Sequence, residues 1–213
     1  MNLYTYFRSS ASFRVRIALN MKGMPYSSVP VHMLRHGGEQ HQPAYRAVNP
    51  MGLVPSLALD DGQVLTQSLA ICEYLEEAHP EPALLPAAPL DRAWVRSVCC
   101  DIACDIHPLD NLRVLRYLKR ELDCGDDQRD AWYRHWIRTG FEPLEAVLRD
   151  RAGQYCLGDT FTLADVFLVP QVWNARRFEC PMGDFPTISR LYENAMALEA
   201  VQAAEPSRQP DAE

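Results

Sequence analysis

The sequence predicts an α/β domain followed by an all-α domain. Strand and helix patterns alternate over residues 1–80, and prolines and alanines crowd the stretch that follows. Residues 90–213 carry long amphipathic stretches and no convincing strand pattern. We therefore expect two domains, 1–80 and 90–213, joined by a linker over 81–89.

Composition excludes several classes of function. The chain has 213 residues, long enough to bury a core in one or two domains. Its net charge of −7 argues against a general role at nucleic acids or membrane surfaces, while leaving room for a small acidic ligand. No stretch has the pattern of a secretion signal or a membrane span, so we expect neither.

The cysteines indicate a reducing compartment. There are seven, an odd number, and none has CxxC spacing. This pattern suits reduced thiols in a cytoplasm better than a disulfide framework. Cys99, Cys100 and Cys104 form the only cluster, and no histidine or carboxylate pattern completes a metal site there, so we expect buried packing and no metal.

The first 48 residues predict a β-α-β unit. Leu3–Phe7 alternates as a strand does, Ser10–Lys22 has helical spacing, and Tyr26–Val31 reads as a second strand. Gly23 supplies a left-handed end to the helix. A polar loop and a short helix over residues 42–48 follow.

A hairpin is predicted next. Residues 53–59 are strand-like on both sides of Pro55, Asp61-Gly62 is a strong turn signal, and Val64–Thr66 is the returning strand. Pro55 must lie at an edge or turn, where a cis bond after Val54 would turn the Val54 backbone toward an extended ligand. An ordinary trans proline at a sheet edge is the alternative.

Helices account for the remainder. We expect one over residues 67–77 with Ser68 as its N-cap, and amphipathic stretches over 91–122 and 128–150. A further helix follows Thr162 with a capping-box-like start. The tail after Glu205 is predicted to be poorly ordered.

Two helix N-termini are candidate anion sites. A strand delivers Ser9 and Ser10 to the start of the first helix, where unpaired N–H groups and the helix dipole stabilise an anion, including a thiolate. The helix beginning at Ser68 can hold a carboxylate in the same way. An N-cap serine with no further role is the alternative interpretation of Ser9.

Residues 9–19 read Ser-Ser-Ala-Ser-Phe-Arg-Val-Arg-Ile-Ala-Leu, which closely resembles the signature Ser-Ser-Cys-x-Trp-Arg-Val-Arg-Ile-Ala-Leu of the zeta-class glutathione transferases. The resemblance covers essentially the whole chain and includes residues 49–51, 54–55, 67–71, 107–112, 169–172, 177–178 and the near-terminal Arg-Gln-Pro-Asp at 208–211. It implies a thioredoxin-like N-terminal domain, an all-helical C-terminal domain, glutathione as cofactor and a homodimer.

The resemblance also implies site residues. Ser9 and Ser10 are the catalytic candidates beside the glutathione sulfur, with Ser9 the first choice as donor to the thiolate. The remaining glutathione contacts are the Val54 backbone for the cysteinyl unit, Gln67 and Ser68 for the γ-glutamyl carboxylate, Gln40 near the glycyl end, and His107 and Asn111. For His107 and Asn111, a helix kink and a helix cap are the alternatives.

The implied reaction is glutathione-dependent cis–trans isomerisation of maleylacetoacetate or maleylpyruvate, small keto acids with two carboxylates. Arg8 is the candidate ligand of one carboxylate, and Arg176 or Arg177 of the other. A surface arginine is the alternative for each. Other functions left open are a transferase or dehalogenase of small α-halo acids and a non-catalytic binding protein.

The chain departs from the signature at two positions. Ala11 replaces its cysteine and Phe13 its tryptophan. Phe13 keeps an aromatic side chain, but Ala11 removes a thiol that could exchange with glutathione disulfides. Isomerisation does not need that thiol.

Overall fold

A computed structural model describes residues 1–213 and divides them into two compact units, residues 1–84 with 196–213, and residues 85–195. The unit boundary at Leu84 lies within the predicted linker. The last 18 residues, however, cluster with the first unit and not with the helical one.

The first unit has a four-stranded sheet in the order β2-β1-β3-β4. The strands are β1 (Asn2–Thr5), β2 (Ser27–Pro30), β3 (Ser56–Ala58) and β4 (Val64–Thr66), and the helices are α1 (Ser10–Met21), α2 (Pro43–Arg46) and α3 (Ser68–Ala78). β1 and β2 are parallel, with Leu3 opposite Ser28, so the β-α-β prediction is correct. β3 pairs antiparallel with β1 and β4, which completes the predicted hairpin.

Burial explains why these elements form. Leu3, Leu57 and Ile71 are fully buried and come from a strand, a strand and a helix of the first unit. α1 is buried along most of its length, including the side chains of Arg14 and Arg16. Two buried arginines on one helix need hydrogen-bond acceptors nearby, because an unpaired buried charge is costly.

The chain end was predicted to be poorly ordered, and that prediction is wrong. The short helix α9 (Glu199–Ala203) packs on α1, and a 3₁₀ turn follows over Pro206–Arg208. Pro206 and Gln209 are buried. The prolines and acids of this tail suggested disorder, but the tail makes specific contacts with the first unit.

The second unit is all helical. Its helices are α4 (Pro89–Cys100), α5 (Leu112–Arg120), α6 (Asp126–Arg149), α7 (Leu163–Arg177) and α8 (Pro186–Met196). α4 continues as a π-helical turn over Asp101–Ile106, so the expected stretch 91–122 is interrupted. Val98, Ile137, Phe141 and Phe167 are fully buried in its core. No helix of the chain has the length and apolar character needed to cross a membrane.

Candidate functional site

Ser9 lies at the N-terminus of α1, where the sequence places it. It is the N-cap, with φ −72° and ψ 116°, and its Oγ accepts the Ser12 N–H at 3.2 Å. A hydroxyl carries one donor and two acceptor positions, so the Ser9 O–H remains able to donate to an anion. The cap and the anion-binding interpretation of Ser9 are therefore compatible.

Ser10 differs from Ser9 in accessibility. It is the first residue of α1 and is 5% exposed, whereas Ser9 is partly exposed. Ser10 also has an interaction within the chain. Of the two hydroxyls, that of Ser9 is better placed to meet a ligand.

Arg8 is held beside Ser9 and is only partly exposed. Its Nη2 and Nε donate to the Tyr6 hydroxyl at 2.9 and 3.2 Å, and its guanidinium carbon lies 4.9 Å from the centre of the Phe7 ring. A free surface arginine would lose more rotamer freedom on binding, so these contacts favour a carboxylate-binding role.

The second predicted anion site lies at the start of α3, with one correction. The N-cap is Gln67, not Ser68, and Ser68 is the first helical residue. Gln67 has φ 69°, a left-handed conformation that is costly for a side chain other than glycine and that recurs at ligand sites. Ser68 is buried, and its Oγ accepts a hydrogen bond from Arg14 at 3.3 Å.

Val54 precedes a cis peptide bond to Pro55, so the candidate cis bond is confirmed and the trans alternative is wrong. No hydrogen bond within the chain uses the Val54 backbone N–H or carbonyl. Val54 lies before β3 begins at Ser56. Its backbone thus has a donor and an acceptor available for an extended ligand.

Gln40 is less accessible than its predicted role requires. Its side chain is 2% exposed, and its Nε2 lies 3.1 Å from Nε2 of His41. The Gln40 Oε1 is buried without a hydrogen-bond partner. Its contact with glutathione stays a prediction.

His107 and Asn111 lie between the π-helical turn and α5 in the helical unit. His107 ends the π-helical turn and donates its N–H to the Ile102 carbonyl at 2.9 Å. Asn111 is the N-cap of α5 and accepts the Arg113 N–H at 3.1 Å. The capping role of Asn111 is therefore present, and its glutathione contact stays a prediction.

The structure distinguishes the two arginines near the end of α7. Arg176 donates to Glu193 at 2.6 Å and lies over the Tyr192 ring, so its charge is already paired. Arg177 lies over the rings of Trp173 and Phe178, at 5.6 and 4.6 Å from their centres.

The contacts of Arg177 are mainly aromatic. It also hydrogen-bonds the hydroxyl of the buried Tyr133, whose ring stacks on Phe178 at 3.6 Å. Of the pair, Arg177 is the better candidate for a substrate carboxylate, because the Arg176 charge is already neutralised.

Sequence reasoning missed a buried acid in the helical unit. Asp110 is 7% exposed, and both carboxylate oxygens are buried without a hydrogen-bond partner. Burial raises its pKa to about 8. Its charge also acts on Tyr133 and Cys180, whose pKa values are raised mainly by burial. An aspartate between a turn and a helix cap gives no sequence signal for such burial.

The cysteines follow the prediction in part. All seven are free, with no disulfide. Cys72 and Cys99 are buried as expected, but Cys100 is partly exposed and Cys104 is exposed. The expectation of buried packing for that pair is wrong, because both lie at and beyond the end of α4 where the helix widens into the π-helical turn.

Comparisons with known proteins point to one family. Two family models match the chain, "Glutathione S-transferase, N-terminal domain" over residues 3–83 and "Glutathione S-transferase, C-terminal domain" over residues 126–196. A probable maleylacetoacetate isomerase of Vibrio cholerae is 49% identical over 99% of this chain and 97% of the relative.

Solved structures are similar over the full length. A holo maleylpyruvate isomerase, described as a bacterial zeta-class glutathione transferase, is 44% identical with a TM-score of 0.96 over 100% of both chains. A maleylacetoacetate isomerase of Methylobacterium extorquens AM1 with bound malonate and glutathione is 40% identical, with a TM-score of 0.95 and full coverage of both.

Proposed function

The chain belongs to the glutathione S-transferase family, and we propose that it isomerises a maleyl keto acid, maleylacetoacetate or maleylpyruvate, from cis to trans with glutathione as cofactor. The observation that carries this proposal is the Ser9 hydroxyl at the N-terminus of α1, with its proton free to donate. Relatives named for this activity support it.

The residues of the first unit fit glutathione. Val54 offers a backbone donor and acceptor that no other group uses, and Ser68 lies at a helix N-terminus suited to a carboxylate. When bound, glutathione would supply a thiolate nucleophile able to add reversibly to the cis double bond, so that rotation becomes possible before the thiol is released unchanged. Ser9 donates a hydrogen bond to that sulfur and favours its charged form.

The substrate carboxylates are assigned to two arginines. Arg8, held by Tyr6, binds one, and Arg177, held among Trp173 and Phe178, binds the other. Arg176 serves instead as a structural ion pair with Glu193.

The experiment follows maleylacetoacetate by ultraviolet absorbance with and without glutathione, while free thiol is titrated. The proposal expects fumarylacetoacetate to form only with glutathione and total thiol to stay constant. A conjugating transferase would consume thiol, a dehalogenase would act instead on an α-halo acid and release halide, and a binding protein would do neither.

The seven free cysteines favour a reducing compartment, and we place the enzyme in the cytoplasm. We propose a homodimer, which light scattering at micromolar concentration checks; a monomer mass would contradict it.

A further inference from the structure

A short loop carries Arg8 and Ser9 from β1 to α1. β1 ends at Thr5 and α1 begins at Ser10, and the Ser9 N–H donates to the Tyr6 carbonyl at 2.9 Å. The loop is thus one tight turn. Any rotation of its central peptide changes the direction of both side chains that the proposed reaction uses.

The buried side chain of Arg16 hydrogen-bonds to this loop. It is fully buried, and its guanidinium donates to Thr5 Oγ1 and the Phe7 carbonyl, each at 3.0 Å, and to the Tyr6 carbonyl at 3.4 Å. Its Nε donates to the Ala204 carbonyl at 2.9 Å, on the segment that follows α9. One side chain therefore joins the loop to the end of the chain.

Asp211 contacts the same loop through the backbone N–H of Phe7. Its Oδ2 accepts the Phe7 N–H at 3.0 Å, while its Oδ1 is buried and accepts no hydrogen bond. Burial lowers the pKa of Arg16 to about 10, and the Asp211 carboxylate acts in the opposite direction on it. The two groups are thus electrostatically coupled beneath the loop.

The segment that carries Asp211 is itself anchored. The Gln209 Nε2 donates to the Ala203 carbonyl at 3.0 Å and to the Glu205 carbonyl at 2.9 Å, and Pro206 is buried. Asp211 therefore has a fixed position from which to hold Phe7. The Arg-Gln-Pro-Asp motif at residues 208–211 is part of the family resemblance, and the proposed reaction gives it no direct contact with glutathione or substrate.

We infer that Asp211 and Arg16 are positioning residues that fix the backbone on both sides of Phe7 and so set the directions of the Arg8 and Ser9 side chains. This inference rests on the proposed function, since it assigns those two side chains to thiolate and carboxylate. The Phe7 carbonyl and N–H are both held, by groups from different parts of the chain. Loss of either hydrogen bond frees one of the two peptide groups that flank Phe7 to rotate.

The test is Asp211→Ala, with Arg208→Ala as a matched control in the same tail. Arg208 is exposed, and its side chain has only a long contact to Gln202 at 3.4 Å. Three quantities are measured: kcat, the pKa of the bound glutathione thiol from the pH dependence of thiolate absorbance, and the affinity for S-methylglutathione. The last has no thiol to ionise and reports the peptide contacts alone.

For Asp211→Ala we expect the bound thiol pKa to rise by about one unit and kcat at neutral pH to fall about tenfold. S-methylglutathione affinity stays at the wild-type value, and Asp211→Asn, which keeps an acceptor for the Phe7 N–H, restores most of kcat. Arg208→Ala matches the wild type in all three.

Wild-type thiol pKa and kcat in Asp211→Ala would overturn the inference. So would a parallel loss of kcat and S-methylglutathione affinity with no change in thiol pKa, which is the result of a purely structural role. If Asp211→Ala does not fold, Asp211→Glu displaces the carboxylate by one methylene and gives the same comparison. Failure of the proposed function is distinct, because the wild type itself would then neither bind a thiolate nor isomerise the keto acid.

Discussion

The Arg8 guanidinium is fixed by the hydroxyl of Tyr6, with Nη2 at 2.9 Å and Nε at 3.2 Å from the same oxygen. Tyr6 is itself buried, and its ring packs edge-on against His32 at 5.0 Å. The buried Tyr6 ring thus fixes the direction of the Arg8 guanidinium, and Arg8 directly precedes Ser9, the proposed hydrogen-bond donor to the thiolate. Pre-organisation of this kind reduces the entropy that substrate binding must offset.

Tyr6→Phe is expected to raise KM for the dicarboxylate keto acid about fivefold and to leave kcat near the wild-type value, since about 1 kcal/mol of hydrogen bonding to Arg8 is lost. Steady-state kinetics measures both constants. Tyr4→Phe, which removes a hydroxyl from a ring packed on Tyr45, is the control. An unchanged KM in Tyr6→Phe would mean that Arg8 does not bind the carboxylate.

Arg177→Ala and Arg176→Ala form a matched pair one residue apart. We expect Arg177→Ala to lower kcat/KM for the keto acid at least tenfold, because a charge-assisted contact of about 1.5–3 kcal/mol is lost. Arg176→Ala should stay near the wild type, since its partner Glu193 is exposed and such surface pairs contribute little. The opposite order would move the substrate site to Arg176.

Asp110→Asn is expected to change the pH dependence of stability. Because burial raises the pKa of Asp110 from 3.8 to about 8, the folded state retains a proton that the unfolded chain releases between those values. This contribution to stability is present at low pH and is lost as pH rises toward 8.

Thermal unfolding of Asp110→Asn measured across that range should therefore show a flatter profile and a Tm at pH 8 higher than the wild type by a few degrees. The exposed Asp150→Asn is the control and keeps the wild-type slope. Identical slopes in wild type and Asp110→Asn would contradict the prediction.

Alanine at position 11 predicts that the enzyme lacks reactions that need a protein thiol at this position. Without a thiol beside Ser9, we expect no reductive dehalogenation of chlorinated hydroquinones, while isomerase activity survives alkylation of accessible cysteines. Cys104 is the exposed thiol that alkylation reaches first, and Cys104→Ser separates its modification from any other. Turnover of a chlorohydroquinone with accumulation of glutathione disulfide would contradict this prediction.

Local patterns predicted much of the fold. The alternation of apolar residues predicted β1, and the Asp61-Gly62 turn predicted the hairpin. Pro55 indicated that the Val54 backbone could face a ligand. These features depend on neighbouring residues, which a sequence displays directly.

The missed features depend on contacts between distant residues. Asp211 lies 204 positions from Phe7, and the exposed fraction of Asp110 depends on helices that pack around it. The cap at Gln67 was missed because a positive φ in glutamine is set by its surroundings, and no local preference predicts it.

Whether Ser9 stabilises a glutathione thiolate that is returned unchanged is decided by kcat of Ser9→Ala, measured beside Ser10→Ala. We expect Ser9→Ala to lose about 1.5–3 kcal/mol of transition-state stabilisation, about 10- to 150-fold in kcat, with S-methylglutathione affinity unchanged. Wild-type kcat in Ser9→Ala would contradict this expectation, and a loss confined to Ser10→Ala would transfer the role to that hydroxyl.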